Sequence, residues 1–331
     1  MLLVTHESAL AHPTPAGHPE RADRIPAAVA GVVASGTAVV RREAPPASLG
    51  ELARIHRQDY IADIEAFCGA GRGALDPDTY AGPESWEAAL RAAGAGYAAV
   101  DGLRSGDAAT AFVAMRPPGH HAEAGRAMGF CLFNNIAVTA ARLVAEGERV
   151  AIVDWDVHHG NGTQRSFFTE SRVLYVSLHE SPFYPGTGHV HEVGTGEGRG
   201  TVVNVPVPAG TGGATYGDAF RRLVVPIASQ FAPTWVLVSA GYDAHRADPL
   251  AGVRLEAGDF AGMADSLAAV VPARRVVFIL EGGYDLGAIT ESVAATIRGA
   301  LGCSDIGDWP DGPEDLAVTT AVMAHSGFWR L

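Results

Sequence analysis

The chain has 331 residues, 47% hydrophobic and 18% charged, a balance that excludes a disordered or coiled-coil protein and provides for a large core. All 24 basic residues are arginine, which excludes a phosphate-binding P-loop and any Schiff-base chemistry, aldolase-like or pyridoxal-dependent, that needs a lysine. The 37 acidic residues outweigh those 24 to give a net charge of −13, which argues against direct nucleic-acid binding and weakly favours cationic substrates.

In chain order, the opening MLLVTHESALAHP is too short and too polar for a secretion signal. A helix is expected over 84–104, then a strand over 110–115, a helix over 134–146 and strands over 150–154 and 173–178. The glycine-rich stretch 186–200 contains GTGEGRG but leads into a strand at 201–207, so it is expected as a surface loop and not as a dinucleotide-binding turn. A helix over 216–231, a strand over 235–240, a helix over 257–271, a strand over 275–280 and a helix over 286–298 follow. The tail 303–331, with Trp309 and Trp329, is expected to pack or to serve an oligomer contact, and oligomer formation is left open. Cys68, Cys131 and Cys303 lack CxxC spacing and support neither a disulfide framework nor a cysteine zinc site. The apolar runs fall far short of the roughly 20 residues of a bilayer span, so a cytoplasmic protein without membrane contact is expected.

Strands that are apolar on both faces, alternating with helices, predict a doubly wound α/β fold with a mostly parallel sheet. In such sheets the ligand site lies at the carboxyl ends of the strands. Those ends read RPPGHH, DWDVHHGNG, GYDAHRADP and EGGYD, so they deliver histidine, aspartate and tyrosine to one edge. In an extended segment Asp156 and His158 point to the same side, and Asp243 from another strand end supplies a third ligand. Two carboxylates and one imidazole suit Zn²⁺, Fe²⁺ or Mn²⁺ and leave positions open for water and substrate. Taken alone, the segment also reads as Asp154 and Asp156 capping the following turn with His158 packed, which is the plainer reading of a lone Asp-x-His. His120 and His121 are general base and acid candidates whose outer ring nitrogens need partners, which Asp154 and Asn161 are placed to supply. Tyr284, after a Gly-Gly turn, is a candidate oxyanion donor or, on the plainer reading, a tyrosine packed over that turn.

In order and spacing, RPPGHH, GFCLFNN, DWDVHHGNGTQ, SAGYDAHRADPL and EGGY closely resemble the zinc-dependent histone deacetylase family, from the HPER segment at His18 to Tyr284. Trp155, Asn161 and Glu281 resemble its class II branch, where bacterial deacetylase-like amidohydrolases also sit. The resemblance implies a single-domain arginase/deacetylase fold over 1–331, with about eight parallel strands flanked by helices. It implies a zinc-dependent enzyme, with Fe²⁺ as the alternative metal, that hydrolyses acyl-lysine peptides or acetylated small amines. Asp156, His158 and Asp243 match the zinc ligands, and His120 and His121 the tandem histidines, with His121 the base. Asp154 and Asn161 match the residues behind those histidines, and Tyr284 the carbonyl-polarising tyrosine. A structural K⁺ or Na⁺ would use Asp154, the Asp156, His158 and Leu178 carbonyls, and Ser177. Gly129, Phe130, Tyr184, Leu250 and Gly283 match the acyl channel, with Tyr184 standing where phenylalanine is common.

Three rival readings stand beside this one. An arginase-like dinuclear site would need carboxylates where Gly160 and His245 stand. A non-catalytic acyl-lysine binder would have lost a ligand, a histidine or the tyrosine, and none is missing. Acetylpolyamines would find only apolar contact at Leu250, where a polyamine-selective relative carries glutamate, so acetyl-lysine substrates are favoured. Asp78 is a candidate rim residue, and Arg24 a candidate for an acetate exit path or a surface salt bridge. His6, His12 and His18 are expected in packing or loop roles.

Overall fold

The computed structural model describes residues 1–71, 73–303 and 315–331. Among the described residues one sheet has eight strands: β1 (Leu2–Thr5), β2 (Val40–Glu43), β3 (Ala111–Ala114), β4 (Val150–Asp154), β5 (Val173–Glu180), β6 (Val202–Val207), β7 (Trp235–Ala240) and β8 (Val276–Leu280). The spatial order is β2-β1-β3-β8-β7-β4-β5-β6 and every neighbouring pair is parallel. A two-strand antiparallel ladder, Gly73–Ala74 with Tyr80–Ala81, stands apart from it.

The central strands AFVA, VVFIL, WVLVSA and VAIVD are buried at every position, as expected of strands covered by helices on both faces. Two strands of the large sheet went unread in the sequence. Leu2–Thr5 is only four residues long, and Val40–Glu43 reads VRRE because it is an exposed edge, where charge guards against further pairing. The expected ends shift by a residue or two, and β5 runs on to Glu180, still buried.

Pro83 opens the long helix Pro83–Arg104, and Asn134 caps the helix Asn135–Ala145 by accepting from Ala137 N at 3.0 Å. The helix expected over 216–231 begins at Gly213 and is interrupted by a π-turn, Phe220–Val224. Pro226 has no N–H to donate and its ring crowds the carbonyl four residues back, which the wider turn accommodates. Helices at 24–34, 58–69 and 316–325 were not anticipated. The 186–200 stretch is irregular apart from the short 3-10 turn Gly196–Gly198, but it is partly buried: the Gly188 carbonyl lies 3.0 Å from His179 Nε2. Trp329 of the tail donates to Gly200 O at 2.8 Å, a packing role, whereas Trp309 lies outside the described residues. Among the described residues no helix is long and apolar enough to cross a membrane.

Candidate active site

The neighbours β3, β8, β7 and β4 bring the four polar strand ends to one edge. Asp156, His158 and Asp243 meet there with ligand atoms all within 4.8 Å of one another. His158 Nδ1 lies 3.1 Å from Asp156 Oδ1 and 3.1 Å from Asp243 Oδ2. The remaining carboxylate oxygens are aimed by the main chain: Gly282 N donates to Asp156 Oδ2 at 2.7 Å and Val157 N to Asp243 Oδ1 at 2.9 Å. A Cβ on Gly282 would run into both carboxylates, and one on Gly241 into Asp156, so these glycines make the cradle.

Electrostatics fit that cradle to a divalent cation. Burial and the neighbouring Asp156 charge both push the Asp243 carboxyl upward. Burial opposes ionisation of Asp156 too, but His120 and His158 more than offset it and hold that carboxyl below its usual range. Burial works against a charge on His158, yet hydrogen bonds from its Nδ1 to Asp156 and Asp243 raise it to about 10. Two buried carboxylates drawing a proton onto a shared imidazole form a donor set that a metal ion would complete, and its oxygen and nitrogen atoms suit zinc or ferrous iron.

The tandem histidines have unlike partners. His120 Nδ1 is 3.1 Å from Asp154 Oδ2, an oxygen that also accepts from the Tyr175 hydroxyl at 3.2 Å. His121 Nδ1 is 2.8 Å from Asn161 Oδ1. Burial disfavours charge on both rings. Asp156 and Asp154 overcome it at His120, raising that imidazole to about 10, whereas at His121 the cationic neighbours His120 and His158 reinforce it and lower the ring well below 6.5. The metal-free pair is thus one charged and one neutral imidazole, 4.0 Å apart between centroids. Glu281 stitches the pair to β8 by accepting from Gly119 N at 2.6 Å and His120 N at 3.1 Å, and burial raises its carboxyl to about 7.

A pocket of about 240 Å³ leads from solvent to these groups. Its walls include Phe130, Phe183, Tyr184 and Tyr284, with Leu250 and Asp78 toward the rim. Phe183 stacks on His158 at 5.1 Å between centroids, and Tyr184 meets His121 edge-on at 5.1 Å. Gly129, at φ +57°, lies where a Cβ would strike the His121 ring, and it turns the chain so that Phe130, at φ +68°, faces Tyr284 edge-on. On the β8 side it is Gly282 that lines the pocket. Gly283, expected in the channel, lies behind it: its φ of +109° turns its carbonyl away to accept from Arg24 Nε at 2.6 Å.

Arg24 is fully buried, against the surface ion pair offered as one reading. It pairs with Glu20 at 3.0 Å, donates to Glu281 O and lies over the Tyr284 ring. His12 is buried against Ser85, His18 packs on Phe130 with Nε2 3.1 Å from Asp78 O, and His6 contacts Ser8. Asp154, at the end of β4, and Ser177, within β5, are register partners near Leu178, Asp156 and His158 in the chain, where the monovalent cation was expected. Sequence reasoning missed Phe183, Tyr175 and Glu123. Tyr175 had a signal, because it stands two residues before Ser177 on one strand and faces the same side.

The family model described as a histone deacetylase domain matches residues 18–300. Histone deacetylase 10, chloroplastic, of Oryza sativa subsp. japonica is 40% identical over 309 residues, 86% of this chain and 70% of its own length. A probable deacetylase of Archaeoglobus fulgidus is 37% identical over 86% of this chain and 81% of its own length. The crystal structure of the HDA15 HD domain matches with a TM-score of 0.92 and 37% identity, over 99% of this chain and 97% of that one.

Proposed function

The chain belongs to the histone deacetylase family, and from that premise we propose that it is a mononuclear, zinc-dependent hydrolase of acetyl-lysine amides, with 1–331 acting as one cytoplasmic catalytic domain. The observation that carries this reading is the convergence of Asp156, His158 and Asp243 beneath a pocket walled by aromatics and by His120, His121 and Tyr284. A divalent ion held by those three residues would polarise the acetyl carbonyl and lower the pKa of a bound water from about 15.7 towards 7.

The chain's own groups do the rest. Phe130 and Tyr184 confine the aliphatic stem of the acyl-lysine and keep bulk water from the amide. His121 takes the water proton at Nε2, because its Nδ1 is engaged by Asn161. His120, its Nδ1 engaged by Asp154, stands beside it, and one of the two rings returns a proton to the leaving amine. The Tyr284 hydroxyl donates to the developing oxyanion. A structural K⁺ or Na⁺ at Asp154, Asp156, His158, Ser177 and Leu178 would brace the end of β4.

A dinuclear, arginase-like site is disfavoured by geometry. A side chain at Gly160 would collide with Asp154, and His245 is turned outward to Glu291 at 3.0 Å. Leu250 at the rim offers no carboxylate to a distal ammonium, which favours acetyl-lysine peptides over acetylpolyamines. The test loads chelator-treated protein with Zn²⁺ or Fe²⁺ and compares acetate release from an acetyl-lysine peptide and from N-acetylputrescine. Faster release from the peptide is expected. The reverse order would make the enzyme a polyamine hydrolase, and zinc retention without turnover of either substrate would make it a binding protein.

A further inference from the structure

Behind His121 a chain of polar contacts runs outward to solvent. The Asn161 amide has a donor end and an acceptor end of almost the same shape, and its partners decide which end faces the imidazole. If Nδ2 faced His121, the ring would accept at Nδ1 and carry its proton on Nε2, leaving no lone pair for a water proton. The structure has Oδ1 at 2.8 Å from His121 Nδ1 and Nδ2 at 3.1 Å from Glu123 Oε1. The same Nδ2 also faces His121 O and Met128 Sδ, each more distant at 3.4 Å. A carboxylate only accepts, so Glu123 selects the donor end of the amide.

Glu123 is itself held in place. Its carbonyl is 3.0 Å from His56 Nδ1, and its N–H donates to Arg126 O at 3.0 Å. Its other charged neighbour, Arg165, is 3.4 Å away and mostly in solvent, a pair too weak to draw the carboxylate off Asn161. A recess of about 290 Å³ opens on this side of the site, bounded by Glu123, Asn161, Gln164, Arg165 and Glu192.

We propose that Glu123 is a positioning residue for deacetylation: it orients the Asn161 amide, and through it fixes the His121 tautomer whose Nε2 is free to act as base. The inference rests on the role proposed for His121. Partners that orient metal-ligating histidines typically contribute about 10- to 100-fold, and the same scale serves for the histidine beside the metal. Because His121 O and Met128 Sδ remain as acceptors, Glu123→Ala belongs at the low end of that range.

The zinc-loaded Glu123→Ala variant should therefore lose about tenfold in kcat with KM within about twofold. Glu123→Gln, whose amide oxygen still accepts, should regain most of that loss. Asn161→Asp sets two carboxylates face to face, and adding Glu123→Gln restores a donor between them, so the double variant should outperform Asn161→Asp alone. Full kcat in Glu123→Ala with an inactive His121→Ala would overturn the role of Glu123 and leave the base assignment standing. Wild-type activity in His121→Ala would remove the base assignment, and the Glu123 proposal with it. If Glu123→Ala does not fold, the Gln variant and the double variant decide, and absence of rescue in both makes the contact merely structural.

Discussion

Replacing Tyr284 by phenylalanine tests the oxyanion assignment with little else disturbed. Among the described residues, Tyr284 is held through its backbone and its ring. Its N–H donates to Asp248 Oδ2 at 2.7 Å, Phe130 meets the ring edge-on at 6.0 Å, and the Arg24 guanidinium lies 5.1 Å from its centroid. All three survive in phenylalanine, so the ring keeps its place and only one donor is lost. Burial, with Asp243 adding to it, holds the phenol well above its usual pKa of 10, so it remains a donor throughout the neutral range. Loss of one oxyanion donor costs about 2.7–4 kcal/mol, or roughly 10²–10³ in rate. The loss should fall on kcat and little on KM, because the bond strengthens only as charge develops on the oxygen. Steady-state acetate release by the zinc-loaded variant, with a thermal melt to confirm folding, measures both. A kcat within threefold of wild type, or a loss confined to KM, would refute the assignment.

Gly160→Ala drives a Cβ into Asp154 Oδ2, with Tyr175 Oη at 2.7 Å and His120 Nδ1 at 3.1 Å, so it should lower both kcat and Tm, with an overpacking cost of about 1–3 kcal/mol. Undiminished kcat would show that the His120–Asp154 pair is dispensable. Chelation should abolish turnover and lower the Tm, because buried carboxylates lose their counter-charge; one zinc per chain should restore both, and two ions per chain by metal analysis would overturn the mononuclear site. Burial holds His56 at about 4, as expected for a ring whose Nε2 accepts from Asn134 N at 2.9 Å. Unfolded, the same ring titrates near 6.5, so the unfolded chain binds the extra proton as pH falls from 6.5 to 4, and stability drops by on the order of 3 kcal/mol by pH 4. Urea unfolding at pH 7 and pH 4.5 should show a smaller drop for His56→Gln than for wild type, and equal drops would refute the linkage.

Much of this architecture could be read from the chain because its chemistry sits at strand ends. Five of the central buried runs are short, apolar and β-branched, and each is followed within a few residues by polar groups whose strand-like alternation sets their direction. Asp156 and His158 are legible as a pair for that reason. The sheet's outer edge was not, because Val40–Glu43 carries its charges into solvent and has no apolar alternation to betray it. What closes the site was also hidden, since it depends on contacts between distant segments. Glu281 binds the loop of His120 across 161 positions, and Arg24 reaches Gly283 across 259. No local pattern marks such a carboxylate or guanidinium as buried. The surface salt bridge, one of the two readings offered for Arg24, has the same origin: isolated charges are usually solvated, and this one is not because Glu20 accompanies it inside.

The side chains next to the triad show why this site should hold one metal. Asp248 lies in the loop that follows β7, five residues beyond Asp243, and its oxygens accept from Leu250 N at 3.0 Å and Tyr284 N at 2.7 Å. It thereby ties the rim to Tyr284 in the pocket wall. Gly160, where a second carboxylate would be needed, has no side chain because Asp154, His120 and Tyr175 fill the space. Both positions are thus committed to the proposed histidine–tyrosine chemistry and not to a second ion. Giving Gly160 a carboxylate would therefore break the His120–Asp154 pair before it could create a second metal site.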